Sequence, residues 1–342
     1  SLAVYTISHL CVDFTCFYIL FCGFKNSFDN LQTVATGFLL YNMIAFGLQP
    51  FAGYICDKRP NIPIGIAGCF LVTIGLLSIR LPWCALILCA FGNACFHVGG
   101  GIDSLKFANG KMSRSGVFVS SGAIGVSLGI LAGNIGYSYF LLPLILMILS
   151  VILLYLFTRR QKTQALSQFY TVSNNLPAAS VIALALISVA IRSYGGSILP
   201  IKWNVGALIL FPSICACAGK AVGGFLGDKF GARKTGVFAL ILSVPFLYFG
   251  ENNAILAMIG ILLFNITMPI TLCTVASVLN HNPGFSFGLT TLALLCGNIP
   301  VYFWAVSSSL RYPVLIGFIL ISACCTFFST KKGVKSNEKE KY

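Results

Sequence analysis

Twelve stretches of apolar, almost uncharged sequence, each long enough or nearly long enough to cross a lipid bilayer, constrain this chain more than any other feature. They fall at about 2–24, 32–56, 62–79, 83–105, 115–137 and 140–158, then at about 178–199, 204–227, 235–249, 253–279, 286–306 and 312–329. A helix needs about 20 apolar residues to span the hydrocarbon core. Twelve crossings with short connections therefore use nearly all of the 342 residues. Charged residues make up 9% of the chain, against about 25% in a soluble domain, which excludes an ordinary water-soluble enzyme. Whatever the protein does is done inside the membrane.

The formal net charge of +14 does not mark a nucleic-acid partner, because Lys and Arg fall between apolar runs rather than on one exposed face. It reports topology, since cytoplasmic loops retain Lys and Arg. One set of loop ends holds sixteen of them, among them Lys58, Arg59, Lys106, Lys111, Arg114, Lys229, Arg233 and Lys234, whereas the opposite set holds only Lys25, Arg80, Lys202 and Arg311. The expectation is a multi-pass protein of the plasma membrane with both termini cytoplasmic. The 14 Cys form no Cys-x-x-Cys pair and no His stands at zinc spacing, so they read as small buried hydrophobes. No metal or cofactor is expected. Ser1 in place of an initiator Met points to residues missing before it, and the first apolar run, without a basic flank or cleavage site, reads as a retained helix.

The polar segment 159–176 is the only long connection, and it divides the chain into six-helix bundles at 1–158 and 177–330, followed by a cytoplasmic tail at 331–342. An internal repeat supports that division. Gly53-x-x-x-Asp57-Lys58-Arg59 follows the second run, and Gly224-x-x-x-Asp228-Lys229, with Arg233 and Lys234 beyond, follows the eighth. Asp228 lies 171 positions after Asp57, and the pairs Asn93 and Asn265, and Gly116 and Gly288, are each 172 apart. The fold class expected is an all-α membrane protein of twelve transmembrane helices in two pseudo-symmetric six-helix bundles. Parallel repeats of this kind occur in secondary transporters, with substrate held near the midplane between the halves.

The twice-repeated Gly-x-x-x-Asp-basic pattern resembles the signature loop of the major facilitator superfamily, and the likeness extends over the whole chain in helix count, repeat and loop position. Within that superfamily, His9-x-x-x-Asp13, Phe96-His97 and Arg192-Ser193 resemble the fosmidomycin-resistance group of drug exporters. The resemblance implies a secondary active transporter of a small organic solute working by alternating access. Proton-coupled efflux is the implied direction, with uptake by symport or uniport as the alternative. It also implies gating roles for Gly53, Asp57, Lys58, Arg59, Gly224, Asp228, Lys229 and Arg233. The partners expected are the substrate, protons and the bilayer, with no nucleic acid, and the chain is expected to act as a monomer. A membrane-embedded enzyme would need a catalytic constellation, and there is no His-Glu-x-x-His and no nucleotide-binding Gly-rich motif. A sensor would need a signalling domain, for which no loop or tail is long enough.

Eight acidic residues are few enough to sort one by one. Asp29 and Glu251 fall on outer loops, Asp57 and Asp228 on the signature loops, and Glu338 and Glu340 in the tail. Asp13 and Asp103 remain. Asp13 is mid-helix, where a charge costs a few kcal/mol, and His9 lies one turn away on the same face. The pair reads as a proton-coupling site or as a hydrogen bond between neutral forms. His97 precedes Gly99-Gly100-Gly101, and three glycines, each about 1 kcal/mol less helix-favouring than Ala, predict a break bordered by His97. Asp103, near Lys106, reads as a further coupling candidate, a gate or a surface ion pair. Arg192 either faces the cavity, where it would favour an anionic or zwitterionic group, or snorkels to the headgroups. Asn42, His97, Arg192, Asn265 and Thr267 are the substrate-binding candidates. Lys220 is expected to snorkel, and Gly125-x-x-x-Gly129-x-x-x-Gly133 reads as close helix packing or as the antiporter motif it loosely resembles.

Overall fold

The computed structural model describes residues 2–159, 176–199, 201, 208 and 210–330, and among them the regular structure is entirely helical. The first half contains α1 (Leu2–Tyr18), α2 (Leu31–Gly47), α3 (Gln49–Lys58), α4 (Ile64–Leu77), α5 (Pro82–Lys106), α6 (Met112–Ser120), α7 (Gly122–Ile135) and α8 (Leu141–Arg159). The second contains α9 (Ala178–Ser197), α10 (Phe211–Phe230), α11 (Ala232–Phe249), α12 (Ala254–Asn265), α13 (Thr267–Val278), α14 (Pro283–Asn298) and α15 (Arg311–Ser329). The expected linker and tail lie almost wholly outside the described residues.

Several helices join end to end. α1 continues through a π-helical turn at Ile19–Phe24, α2 meets α3 at Leu48, α6 meets α7 at Ser121, and α12 meets α13 at Ile266. Two of these joints have a local cause. Pro50 and Pro269 lack an N–H, so the carbonyls four residues earlier, on Phe46 and Asn265, lose their helical donor. Among the described residues, nine helical rods are long and apolar enough to cross a membrane. Two shorter apolar helices, Ile64–Leu77 and Leu141–Phe157, accompany them. Large apolar side chains such as Phe51, Phe70, Leu141, Phe225, Phe238 and Ile255 are exposed on the outside of the helices, as lipid-facing residues are.

α1 is the hub of the first half, packed against α4, α5, α7 and α8. The Gly125, Gly129 and Gly133 row is a seat for it. These three glycines bring α7 against the backbone of α1 at Leu10, Phe14 and Tyr18, where a Cβ would not fit. In the second half α9 packs on α13, α14 and α15, and α11 on α12 and α15. The two halves meet most closely along α3 with α14 and along α6 with α10.

The expected break at Gly99-Gly100-Gly101 is absent, for α5 runs unbroken from Pro82 to Lys106. Packing outweighs intrinsic propensity there. Gly99 lies against the backbone of Gly65 on α4, Gly100 receives the ring of Phe118, and Gly101 receives the ring of Phe287 from the other half. The glycines make room for neighbours rather than for a hinge.

Candidate functional site

The i, i+4 spacing of His9 and Asp13 puts both on the face of α1 that meets α5, and Asn93 and His97, also four apart, answer them from α5. His9 Nε2 lies 3.2 Å from Asp13 Oδ2, and His97 Nε2 lies 3.6 Å from Asp13 Oδ1. Asn93 donates from Nδ2 to Asp13 Oδ1 at 3.0 Å. The two imidazoles meet at Nε2, 2.8 Å apart. Their Nδ1 atoms face backbone carbonyls, His9 that of Phe118 at 2.8 Å and His97 that of Asn93 at 2.9 Å. His9, Asp13 and His97 are each no more than 7% exposed. A carboxylate held this deep is tolerable because it is flanked by groups able to carry positive charge and by an amide donor.

Asp13 and Asn93 form one wall of a cavity of about 270 Å³. Asn42 of α2, Ser193 of α9 and Asn298 of α14 bring polar groups to it, and Phe17 and Tyr41 close its sides. It lies between the two halves. Asn42 spans the gap by donating from Nδ2 to the Tyr302 hydroxyl at 2.8 Å. A larger groove of about 930 Å³ lies on the apolar exterior among Leu226, Phe238, Ile241 and Leu242. The smaller cavity is the better candidate, because it brings the buried Asp13 and Asn93 of the first half together with the half-buried Ser193 and Asn298 of the second.

One end of the inter-half contact is closed by two matching devices. Asp57, at the end of α3, accepts from the backbone N–H groups of Gly284 and Phe285 at 2.9 and 2.8 Å, at the start of α14. Asp228, at the end of α10, accepts from those of Met112 and Ser113 at 2.6 and 3.0 Å, at the start of α6. Each half thus caps a helix of the other, where the first-turn N–H groups lack intrahelical partners and the helix dipole favours a carboxylate. The small residues beside the caps permit the approach. Gly53 lies against Gly284, Gly224 against Met112 and Ser113, Gly116 against Lys220 and Ala221, and Gly288 against Gln49 and Pro50. Lys58 lies over the Tyr54 ring and Lys229 over Phe230. Arg59 is exposed, and Arg233 donates to the Thr330 carbonyl while stacking on Phe327.

Other residues singled out by sequence lie apart from the triad. Asp103, six residues beyond His97 on α5, is hydrogen-bonded by Tyr5 and borders Lys106. Arg192 is buried, donating from Nε to the Ser188 carbonyl at 3.2 Å and from a terminal nitrogen to Thr271 Oγ1 at 3.0 Å. Among the described residues no carboxylate lies within ion-pair distance of it. Asn265 donates to the Ile261 carbonyl, and Thr267 to that of Phe264, so both side chains return to their own chain segment. Lys220, rather than snorkelling away, lies within electrostatic reach of Asp13 and His97.

Sequence reasoning passed over Asn93 as part of the site and noted it only as a repeat landmark. Its position four residues before His97 was the available signal. The Phe118 carbonyl could not be found that way, because every residue has one.

No protein-family model matches this sequence, and no curated protein matches it. Solved structures do resemble it. A major facilitator superfamily transporter, FucP, in the outward conformation superposes with a TM-score of 0.63 at 15% identity, covering 95% of this chain and 98% of that one. A structure of the E. coli fucose:proton symporter FucP gives 0.68 at 14% identity over 96% and 98%. The human organic anion transporter MFSD10 (TETRAN) gives 0.70 at 11% identity over 95% and 98%. At such identities the likeness establishes the fold, which is that of major facilitator transporters over nearly the full described length.

Proposed function

We propose that the chain is a secondary active transporter that moves a small organic solute by alternating access and couples that movement to protons. In this reading the nine long rods, together with α4, α8 and α10, make twelve transmembrane helices in two six-helix halves, 1–158 and 177–330. The observation that carries the proposal is the cavity between the halves, lined by polar groups from both, together with the reciprocal caps by which each half holds a helix start of the other. Such contacts stabilise one closed arrangement without touching substrate, as a gate must. The neighbouring fucose:proton symporter and organic anion transporter support the same class of activity.

The caps, with Gly53, Lys58, Arg59, Gly224, Lys229 and Arg233 around them, form the gate at the cytoplasmic end, both termini lying on that side of the plasma membrane. His9, Asp13 and His97 are the proton site, and Asp103 belongs to the path toward the cytoplasm. Asn42, Ser193 and Asn298 contact the solute. Arg192 and Lys220, two buried or half-buried cations on the second half, favour a solute with an anionic or zwitterionic group. Export in exchange for entering protons is the direction we favour, from the likeness of His9-x-x-x-Asp13 and Phe96-His97 to drug exporters.

Reconstitution tests this. Protein in proteoliposomes, given a panel of small radiolabelled anionic and zwitterionic solutes, should accumulate at least one of them only while a pH gradient is imposed. Movement against the proton flow marks exchange, and movement with it marks symport. Equal equilibration with and without the gradient would reject proton coupling.

A further inference from the structure

The hydrogen-bond roles in the triad can be assigned from backbone partners alone. A carbonyl oxygen only accepts, so the Nδ1 atoms of His9 and His97, facing the Phe118 and Asn93 carbonyls, both carry hydrogen. If both rings are neutral, both Nε2 atoms are bare lone pairs. Yet these atoms lie 2.8 Å apart and face Asp13 at 3.2 and 3.6 Å. Four acceptors turned toward one another in a buried site repel strongly, so a cation must stand among them. The separation decides which cation. Two imidazole nitrogens on one tetrahedral metal, each at about 2.0–2.1 Å from it, would lie about 3.3 Å apart. The observed 2.8 Å is the spacing of a hydrogen bond donated by an N–H.

We propose that one proton is shared between His9 Nε2 and His97 Nε2 beside the Asp13 carboxylate, and that this bridge holds the Phe118 carbonyl and with it the α6 side of the gate. The proposal rests on the proton-coupling reading above and deepens it. The bridged rings carry one positive charge and Asp13 one negative, so the loaded site is neutral as a unit. Without the proton, no pair of neutral tautomers keeps both Nδ1 bonds and the ring contact, and one ring must turn. When His9 turns, the Phe118 carbonyl loses the shorter of its two side-chain hydrogen bonds and keeps only that from the Ser121 hydroxyl at 3.3 Å. Phe118 lies on α6, whose first N–H groups are those capped by Asp228 from the other half.

The groups that face the bridge come from every helix around it. They are Asp13 on α1, Asn93 on α5 and the Gly122 backbone on α7, with the Tyr41 hydroxyl on α2 and the Lys220 ammonium on α10 farther off but within electrostatic reach of Asp13. Gly122 has a specific part, because a Cβ there would run into Asp13 and His9. The joint at Ser121 between α6 and α7 is thus the place where the ring and the gate helix meet.

Nuclear magnetic resonance on the full chain in lipid nanodiscs, with ¹⁵N-labelled histidine, tests the bridge. The expected result is a strongly downfield proton coupled to the Nε2 nitrogens of both His9 and His97, absent in His97→Gln. Raising the pH until that resonance disappears should also raise hydrogen exchange in residues 112–120, after correction for the intrinsic pH effect. In His97→Gln, where the amide supplies a permanent donor, exchange there should not respond to pH. Two neutral rings with no shared proton across pH 5–8, a stoichiometric metal ion in the purified protein, or unchanged α6 exchange would each overturn the proposal. The readout separates this inference from the broader one. Gradient-driven transport without the shared resonance removes the bridge and leaves coupling standing, whereas the resonance with gradient-insensitive transport does the reverse.

Discussion

Asp13 meets a donor or a ring nitrogen on three sides, so neutralising it and removing it are different experiments. Asp13→Asn keeps the volume, can still accept from Asn93, and presents an amide N–H to the imidazoles in place of a charge. It should fold, and it should lower accumulation driven by a pH gradient at least ~10-fold in proteoliposomes, equivalent to about 1.4 kcal/mol of lost coupling. Undiminished accumulation would place the proton elsewhere, with Asp103 next in line. Arg192 calls for a different readout. Its only described partners are neutral oxygens, so Arg192→Gln should weaken competition by anionic solutes more than by neutral ones, measured as displacement of one labelled substrate. At this scale the sequence was readable because ionisable residues are rare in an apolar chain. His9, Asp13 and His97 stood out for that reason. Asn93 did not, since an uncharged amide in a membrane helix is cheap enough to need no special explanation.

In the proposed mechanism pairs of helices carry the gate, and their close approach depends on missing side chains as much as on the aspartates. Gly288 lies against the Gln49–Pro50 backbone and Gly116 against that of Lys220 and Ala221, so a branched side chain at either position must push α3 from α14 or α6 from α10. Gly288→Val should therefore raise the accessibility of Asp57 and Ser286 to the aqueous phase at the capped end, measured by hydrogen exchange over residues 283–288. Replacing Asp57 or Asp228 by Asn keeps one cap hydrogen bond, through the amide oxygen, and loses the other together with the charge–dipole attraction. Each change should shift the balance toward the open arrangement by at least about 0.5–1 kcal/mol, or two- to five-fold. Helix positions and the signature loops could be read from apolar runs and spacing. The behaviour of Gly99-Gly100-Gly101 could not, because propensity describes an isolated helix, whereas these glycines are bracketed by Gly65, Phe118 and Phe287 from three other helices. The same limit applied to Lys220, whose direction depends on where α10 lies against α6 and α7.

Three sequence landmarks recur at an offset of 171 to 172 residues, and the pair Asp57 and Asp228 has a mechanical meaning in the fold. Asp57 caps Gly284 and Phe285, and Asp228 caps Met112 and Ser113, so each of the two aspartates holds a helix start of the other half. In the orientation proposed from loop charge, an impermeant label on intact cells should reach a reactive side chain introduced at Lys25 but not one at Lys111. Alternating access is the central claim, and it requires the two ends to move in opposite senses. Spectroscopic distances should be taken between labels at Asn61 and His281, on the capped end, and between labels at Asn30 and Ser309, on the other. Unnatural amino acids should carry the labels, because the 14 native cysteines forbid thiol chemistry. In the Asp57→Asn/Asp228→Asn double variant the first distance should lengthen while the second shortens. Two distances that stay fixed, or that lengthen together, would contradict the account.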